Sequence, residues 1–311
     1  AGEFSLGNIV EYVIYVNMLT WPVASLGYVT SLVQRGAASQ QRINEFMDEE
    51  PVLNEGELRI NKLAQSIEFK NVWYKYPETD VWVLEDVSFT INAKNKFGII
   101  GTTGSGKSTI AKLLLGLYEP TKGEILLDGH PLIAYDKNDL RKLFGYVSQD
   151  IFLFSETLRD NILFGCDGQE DHANLNDAIQ SAALDEEIDN LPKGLETMLG
   201  ERGITLSGGQ KQRTAIARAL IKKPNILLID DGLSAVDTKT ELAIKNSLNT
   251  WNKSQTFINI SHRISSVQDS ECIIFMHEGK VLEKGSHPEM LAYEGMYKDL
   301  FDKQMMVEEN S

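Results

Sequence analysis

The chain is 311 residues long, with 30 Lys+Arg against 45 Asp+Glu and a formal net charge of −15. Hydrophobic residues at 42% and charged residues at 24% are globular averages, so a disordered chain is excluded, and the length suits about two domains or one large one. The acidic balance argues against sequence-independent nucleic-acid binding, which needs clustered Lys and Arg; no nucleic-acid partner is expected. Two cysteines, Cys166 and Cys272, lack metal-ligand spacing and fit a reducing compartment better than a disulfide or zinc scaffold.

The first element lies between Glu11 and Arg35, where YVIYVNMLTWPVASLGYVTSLVQ carries no charge. As a helix it would span about 35 Å, enough for a hydrocarbon core of about 30 Å. Asn17, Thr20, Ser25, Thr30, Ser31 and a central Pro22 suit a membrane helix packed against other helices, and so a piece of a larger membrane domain, better than a lone anchor. Glu3 and Glu11 precede the run, whereas Arg35 and Arg42 follow it, which puts its C-terminal end on the cytoplasmic side. The alternative is a buried helix of a soluble protein. Gly36 to Glu50 reads as a further amphipathic helix with Ile43, Phe46 and Met47 on one stripe, ended by Pro51. Residues 1–50 are therefore expected as a transmembrane helix with its cytoplasmic extension, and 51–65 as a linker. From 66 to 311 short apolar runs alternate with helical stretches and Gly-rich turns, the pattern of an α/β domain.

Within that domain the strand KFGII (96–100) runs directly into GTTGSGKST and then into IAKLLLGL. Gly101, Gly106, Lys107 and Ser108 satisfy the P-loop pattern. The glycines let Thr102, Thr103, Gly104, Ser105 and Gly106 curl so that backbone N–H groups face phosphate oxygens, and the helix that follows through Thr109 adds its positive dipole end. Lys107 would reach the β- and γ-phosphates and the Ser108 hydroxyl would ligate Mg²⁺. Local donors of this kind let an acidic protein bind a polyanion. Further on, NILLID (225–230) is an apolar strand ending in Asp230, expected beside the P-loop as a second Mg²⁺ ligand. Asp231, one residue on, could orient the attacking water as general base.

LSGGQ (206–210) then decides among P-loop enzymes: with the two motifs above, it resembles the ATP-binding cassette (ABC) superfamily, and the remaining motifs resemble its exporter branch. YVSQD places Gln149 at the family's Q-loop position, where it would also approach the metal, and FLFSETLRDNILFG follows it. LGERG (199–203) resembles the X-loop, SAVD (234–237) the D-loop, and SHR puts His262 at the switch-histidine position. KYP puts Tyr76 where an aromatic face stacks on adenine. The resemblance covers essentially the whole chain and implies a P-loop α/β core, an antiparallel β-subdomain near 67–98 and a helical subdomain near 152–213, preceded by a transmembrane and stalk helix. It implies ATP and Mg²⁺ as ligands, and Ser207, Gly208, Gly209 and Gln210 as binders of the ATP held by a second, head-to-tail cassette. It also implies contact of the Gln149 region with the coupling helices of a membrane domain, in a half-transporter of the cell (inner) membrane with its cassette in the cytoplasm. One residue departs from the family: the usual Glu after the Walker B Asp is Asp231, one methylene shorter. That leaves open an active but slow exporter ATPase or a degenerate, mainly ATP-binding half of a heterodimer. A soluble ABC ATPase of DNA repair or translation is disfavoured by residues 9–50. The acidic stretch after 166 reads as a solvated helix pair, and 295–311 as a C-terminal amphipathic helix.

Overall fold

In this computed structural model the described residues are 5–48, 56–77, 79–166, 172–200, 203, 206–232, 244 and 255–308. The chain divides into two compact units, Ala1–Leu53 and Asn54–Ser311. The second thus begins ahead of residue 66, where the sequence pattern put it.

The first unit is one helix, α1 (Leu6–Met47), of 42 residues with no buried side chain. It is long and apolar enough to cross a membrane. The two helical segments expected from composition are one uninterrupted element, and it passes through Pro22. Its polar side chains close on their own backbone: Asn17 donates to the Val13 carbonyl at 3.0 Å, Thr20 to Val16 at 2.9 Å, Ser25 to Pro22 at 2.8 Å and Thr30 to Leu26 at 2.7 Å. Each hydroxyl or amide so bonded reduces the cost of an apolar surrounding.

The second unit is built on two sheets. An antiparallel sheet joins β1 (Ser66–Tyr74), β2 (Leu84–Asn92), β4 (Lys122–Leu127) and β5 (His130–Pro131) in the order β2-β1-β4-β5. The other sheet has the order β10-β9-β3-β8-β7-β6, made of β3 (Lys96–Gly101), β6 (Phe144–Val147), β7 (Ile226–Asp230), β8 (Thr256–Ser261), β9 (Cys272–His277) and β10 (Lys280–Gly285). All its pairings are parallel except β9 with β10. The antiparallel subdomain expected near 67–98 is present and differs beyond β2: residues 96–98 open the parallel sheet, and β4 and β5 come in from 122–131. Strand β1 takes β4 along its free edge, Ile67 pairing with Leu127 and Phe69 with Ile125, a pairing between distant segments that no local pattern specifies. β7 is buried along its whole length, as a central parallel strand covered on both faces must be.

Helix α2 (Lys107–Leu114) follows β3, and α3 (Lys137–Leu143) leads into β6. Then come α4 (Leu158–Leu163), α5 (His172–Ser181), α6 (Asp185–Asn190) and α7 (Gly208–Leu220). This is the helical region expected near 152–213, with α7 running on to 220 and packing against α4, α5 and β6. Arg218 of α7 donates to the carbonyls of Asn161 (2.7 Å) and Phe152 (2.8 Å), and the fully buried Asn161 bonds Phe154 and Thr157. That network pins the 152–165 segment onto α7. Short α8 (Ile264–Val267), α9 (His287–Ala292) and α10 (Met296–Glu308) complete the unit.

The stretch expected as linker is fastened from Gly56 onward. Leu58 exchanges backbone bonds with Ala134 and Asp136, both at 2.9 Å, and Leu63 is 4% exposed. Asp128 accepts the N–H groups of Ala64 and Gln65 at 2.8 and 2.7 Å.

Candidate functional site

Parallel strands deliver all their C-terminal ends to one edge of the sheet, where loops open onto a common crevice. Here the P-loop leaves β3 after Gly101, Asp230 ends β7, His262 follows β8, and Gln149 comes two residues after β6. Register brings these ends level: Ile100 pairs with Ser261, Asp230 with Ile260, and Val147 with Ile229. Strand β8 lies between β3 and β7 and extends into His262, and Asp230 still reaches the cleft beside the P-loop, as expected. The result is a cleft of about 240 Å³ lined by Thr103 through Thr109, Gln149, Asp230, Asp231 and His262, with Val83 and Ile260 closing its apolar wall.

The phosphate cradle is held by close backbone approach. Gly106 has φ +93, and a Cβ there would come within 2.6 Å of Leu84 Cδ2 and 2.8 Å of the Val83 carbonyl. Only glycine serves at that point. Lys107, 5% exposed, donates from Nζ to the Gly101 and Thr102 carbonyls at 2.9 and 2.8 Å and lies 3.5 Å from Ser105 Oγ. Burial lowers its pKa to about 8, against the pull of Asp230 and Asp231. Asp230 is 2% exposed and burial raises its pKa; its hydrogen bond with Ser108 acts in the opposite sense. A half-buried hydroxyl and a buried carboxylate beside a buried ammonium offer hard oxygen ligands suited to a small divalent cation.

Asp231 starts the turn after β7 in the left-handed region, φ +50, with its N–H donated to the Ile260 carbonyl at 2.8 Å. Aspartate tolerates that conformation better than longer side chains. Gly232 follows because a Cβ there would meet Ile229 Cγ2 and Val147 Cγ1, each at 2.8 Å. Burial and Lys107 lower the pKa of His262, whereas Asp231 and the Gly101 carbonyl act to raise it. The neutral imidazole is thus favoured over the cation, with hydrogen-bonding capacity toward the cleft.

Two expected nucleotide contacts stand apart from this lining. The Thr102 hydroxyl lies 3.2 Å from His277 Nδ1, and its carbonyl is the group that meets Lys107. Tyr76 stands one step behind the wall, its hydroxyl 3.3 Å from Thr109 Oγ1. The signature residues Ser207 to Gln210 do not line the cleft at all. Ser207 caps α7, accepting from the Gln210 N–H at 3.3 Å, while Gln210 Oε1 accepts from the Ser207 N–H at 2.9 Å. Residues 234–237 of the expected D-loop, and Glu201 and Arg202 of the X-loop, lie outside the described residues. Val83 and Ile260 escaped sequence reasoning because an apolar strand residue carries no chemical mark; only adjacency to the two motifs could have singled them out.

A family model described as ABC transporter matches residues 84–234, which contain the P-loop, the signature helix and both aspartates. The chain carries an ABC transporter ATP-binding domain. Over 305 residues the chain is 40% identical to the probable multidrug resistance ABC transporter ATP-binding/permease protein YheI of Bacillus subtilis (strain 168), covering 98% of this chain and 52% of that protein. It is 38% identical over 299 residues to an ATP-dependent lipid A-core flippase of Pseudomonas aeruginosa, covering 96% and 50%. Among solved structures, a bacterial Atm1-family ABC exporter with ATP bound superposes with a TM-score of 0.80 at 37% identity, over 97% of this chain and 53% of that one. The chain thus spans about half the length of the relatives it matches. As an ABC ATPase domain it binds ATP, and the cleft at the sheet edge is the place whose donors suit the triphosphate.

Proposed function

We propose that this chain is the motor portion of an ABC exporter subunit that binds and hydrolyses ATP and couples closure of two cassettes to export of a substrate across a membrane. The observation carrying the reading is the separation of two phosphate-binding features: the P-loop, Asp230, Asp231, Gln149 and His262 share one cleft, while Ser207 to Gln210 do not line it. A second half-transporter, identical or different, would bring its signature over this cleft and receive this chain's signature in return. α1 would be one span of the membrane domain, its partner helices contacting the Gln149 region, in the cell (inner) membrane with the cassette on the cytoplasmic side.

Ser108 and Asp230 would hold Mg²⁺, with Gln149 close by; among the described residues no group of three or more His, Cys, Asp or Glu forms a metal cage, as fits an ion shared with phosphates. When bound, Mg²⁺ supplies charge neutralisation at the β- and γ-phosphates. Lys107 exchanges its carbonyl partners for phosphate oxygens. Asp231 accepts a proton from the water whose oxygen attacks the γ-phosphorus, the bond to the bridging oxygen breaks, and ADP leaves with the electron pair. His262 donates a hydrogen bond to the γ-phosphate. The shorter carboxylate at 231 favours a second reading, a cassette that binds ATP and turns it over poorly, since misplacement by about 1 Å can cost about 10²-fold.

Steady-state and single-turnover ATPase assays on the full-length protein decide between them. Asp231→Ala should reduce hydrolysis about 10²- to 10³-fold with nucleotide binding retained, and Asp231→Glu should change the chemical step more than binding. Unchanged hydrolysis in Asp231→Ala would remove Asp231 as the base.

A further inference from the structure

The connection from β1 to β2 holds Tyr76, whose hydroxyl is met by two groups of α2: Thr109 Oγ1 at 3.3 Å and the ammonium of Lys112, which donates to it at 3.3 Å. The ring packs at right angles to Tyr74, centroids 5.1 Å apart, and to Tyr118 at 5.5 Å. The Lys112 ammonium is 5.5 Å from the ring centroid, farther than from the hydroxyl, so the cation sits at the polar end of the phenol. Thr109 and Lys112 are three residues apart and share one face of the helix. That same helix begins with the phosphate cradle at Lys107.

We propose that Lys112 is a positioning residue for the nucleotide base, acting through the Tyr76 hydroxyl to fix the aromatic platform relative to the phosphate cradle. The inference rests on the reading of Tyr76 as that platform. A nucleotide must reach both ends of its site at once, and a platform tied to α2 keeps their separation constant. A preorganised site avoids the ordering cost that a loose loop would incur on binding. Inorganic tripolyphosphate, which has the same anionic chain but no base, engages only the cradle and is indifferent to Lys112.

The test is calorimetric titration of the full-length protein in lipid nanodiscs with Mg²⁺ and either AMP-PNP or tripolyphosphate. Lys112→Met should weaken AMP-PNP binding about fivefold and leave tripolyphosphate within about twofold. Tyr76→Phe should do the same, the double variant should be no worse than either single one, and Lys112→Arg should recover most of the affinity. Wild-type AMP-PNP binding in Lys112→Met overturns the proposal; so do equal losses for both ligands, which mark a general field effect, and additive losses in the double variant. Tyr76→Ala separates the layers. Wild-type binding there fells the platform reading and this inference with it. A loss in Tyr76→Ala alongside intact binding in Lys112→Met fells the inference alone.

Discussion

Two helix N-termini in this molecule carry the proposed phosphate sites, and they are finished differently. The start of α2 has Gly106 as its N-cap at φ +93 with no side-chain cap; its loop is exposed at Thr102, Thr103 and Gly104 but rests on buried groups, with Ser105 1% exposed, Lys107 5% and Asp230 2%. The start of α7 is solvent-exposed at Ser207 and Gly208 and closed on itself by the reciprocal bonds of Ser207 and Gln210. Both offer backbone donors and a helix dipole to an anion. The same donors act far more strongly where water is excluded, because the effective dielectric falls. On the proposed reading the α2 site holds its anion within one chain, whereas the α7 site gains its strength when another surface covers it. In the proposed assembly that surface is the partner's nucleotide.

The contrast can be broken at three points. Lys107→Met removes the buried cation of the cradle and should lower affinity for AMP-PNP and for tripolyphosphate alike by about 10²-fold or more, as calorimetry would show. A much smaller loss would mean that the backbone donors alone carry the triphosphate. Ser207→Ala takes the side-chain cap from α7 at a cost of about 1 kcal/mol to the helix. Its effect should fall on ATPase rate and on nucleotide-induced pairing of cassettes, with single-site ATP affinity unchanged; a weakened single-site affinity would place the signature in its own chain's site.

The smallest effect is a pH slope. Lys107 has a folded pKa near 8, below its ordinary value of 10.5, so its charge opposes folding wherever it is protonated. Below pH 8 that penalty is fully present; as pH rises from 8 toward 10.5 the folded state sheds the proton first and the penalty disappears. The difference in melting temperature between Lys107→Met and wild type should therefore drift in favour of wild type over that window. A flat difference would show that the amine is not desolvated.

The local form of the P-loop was legible because it is contiguous: GTTGSGKST is a strand end, a turn and a helix start within nine residues. The signature was legible for the same reason, since a capping box is a local event between Ser207 and Gln210. Asp230 was recognisable as a strand end, yet its neighbour was not, because β8, which separates it from β3, arises some thirty residues later. The antiparallel sheet was legible in its first two strands, and its later ones were hidden for the same reason. β4 joins β1 through backbone bonds that depend on where the chain returns, and burial of Ile67, Phe69 and Leu127 on one face rewards that return. The fastening of residues 56–65 hid likewise, since Asp128 and Asn225, which receive their N–H groups, are far along the chain.

The sequence by itself therefore determined the glycine-rich turn between β3 and α2, the candidate groups beside it, the capped helix α7 and an apolar helix able to span a bilayer, all features whose physics acts over one or two turns. Tertiary structure alone decided which groups face one another: the insertion of β8 that carries His262 to the cleft, the Val83 and Ile260 wall, the left-handed Asp231 and the tie from Lys112 to Tyr76. Strand order is a global balance of buried area against loop closure, and side chains brought together by it leave no periodic trace in the chain that encodes them.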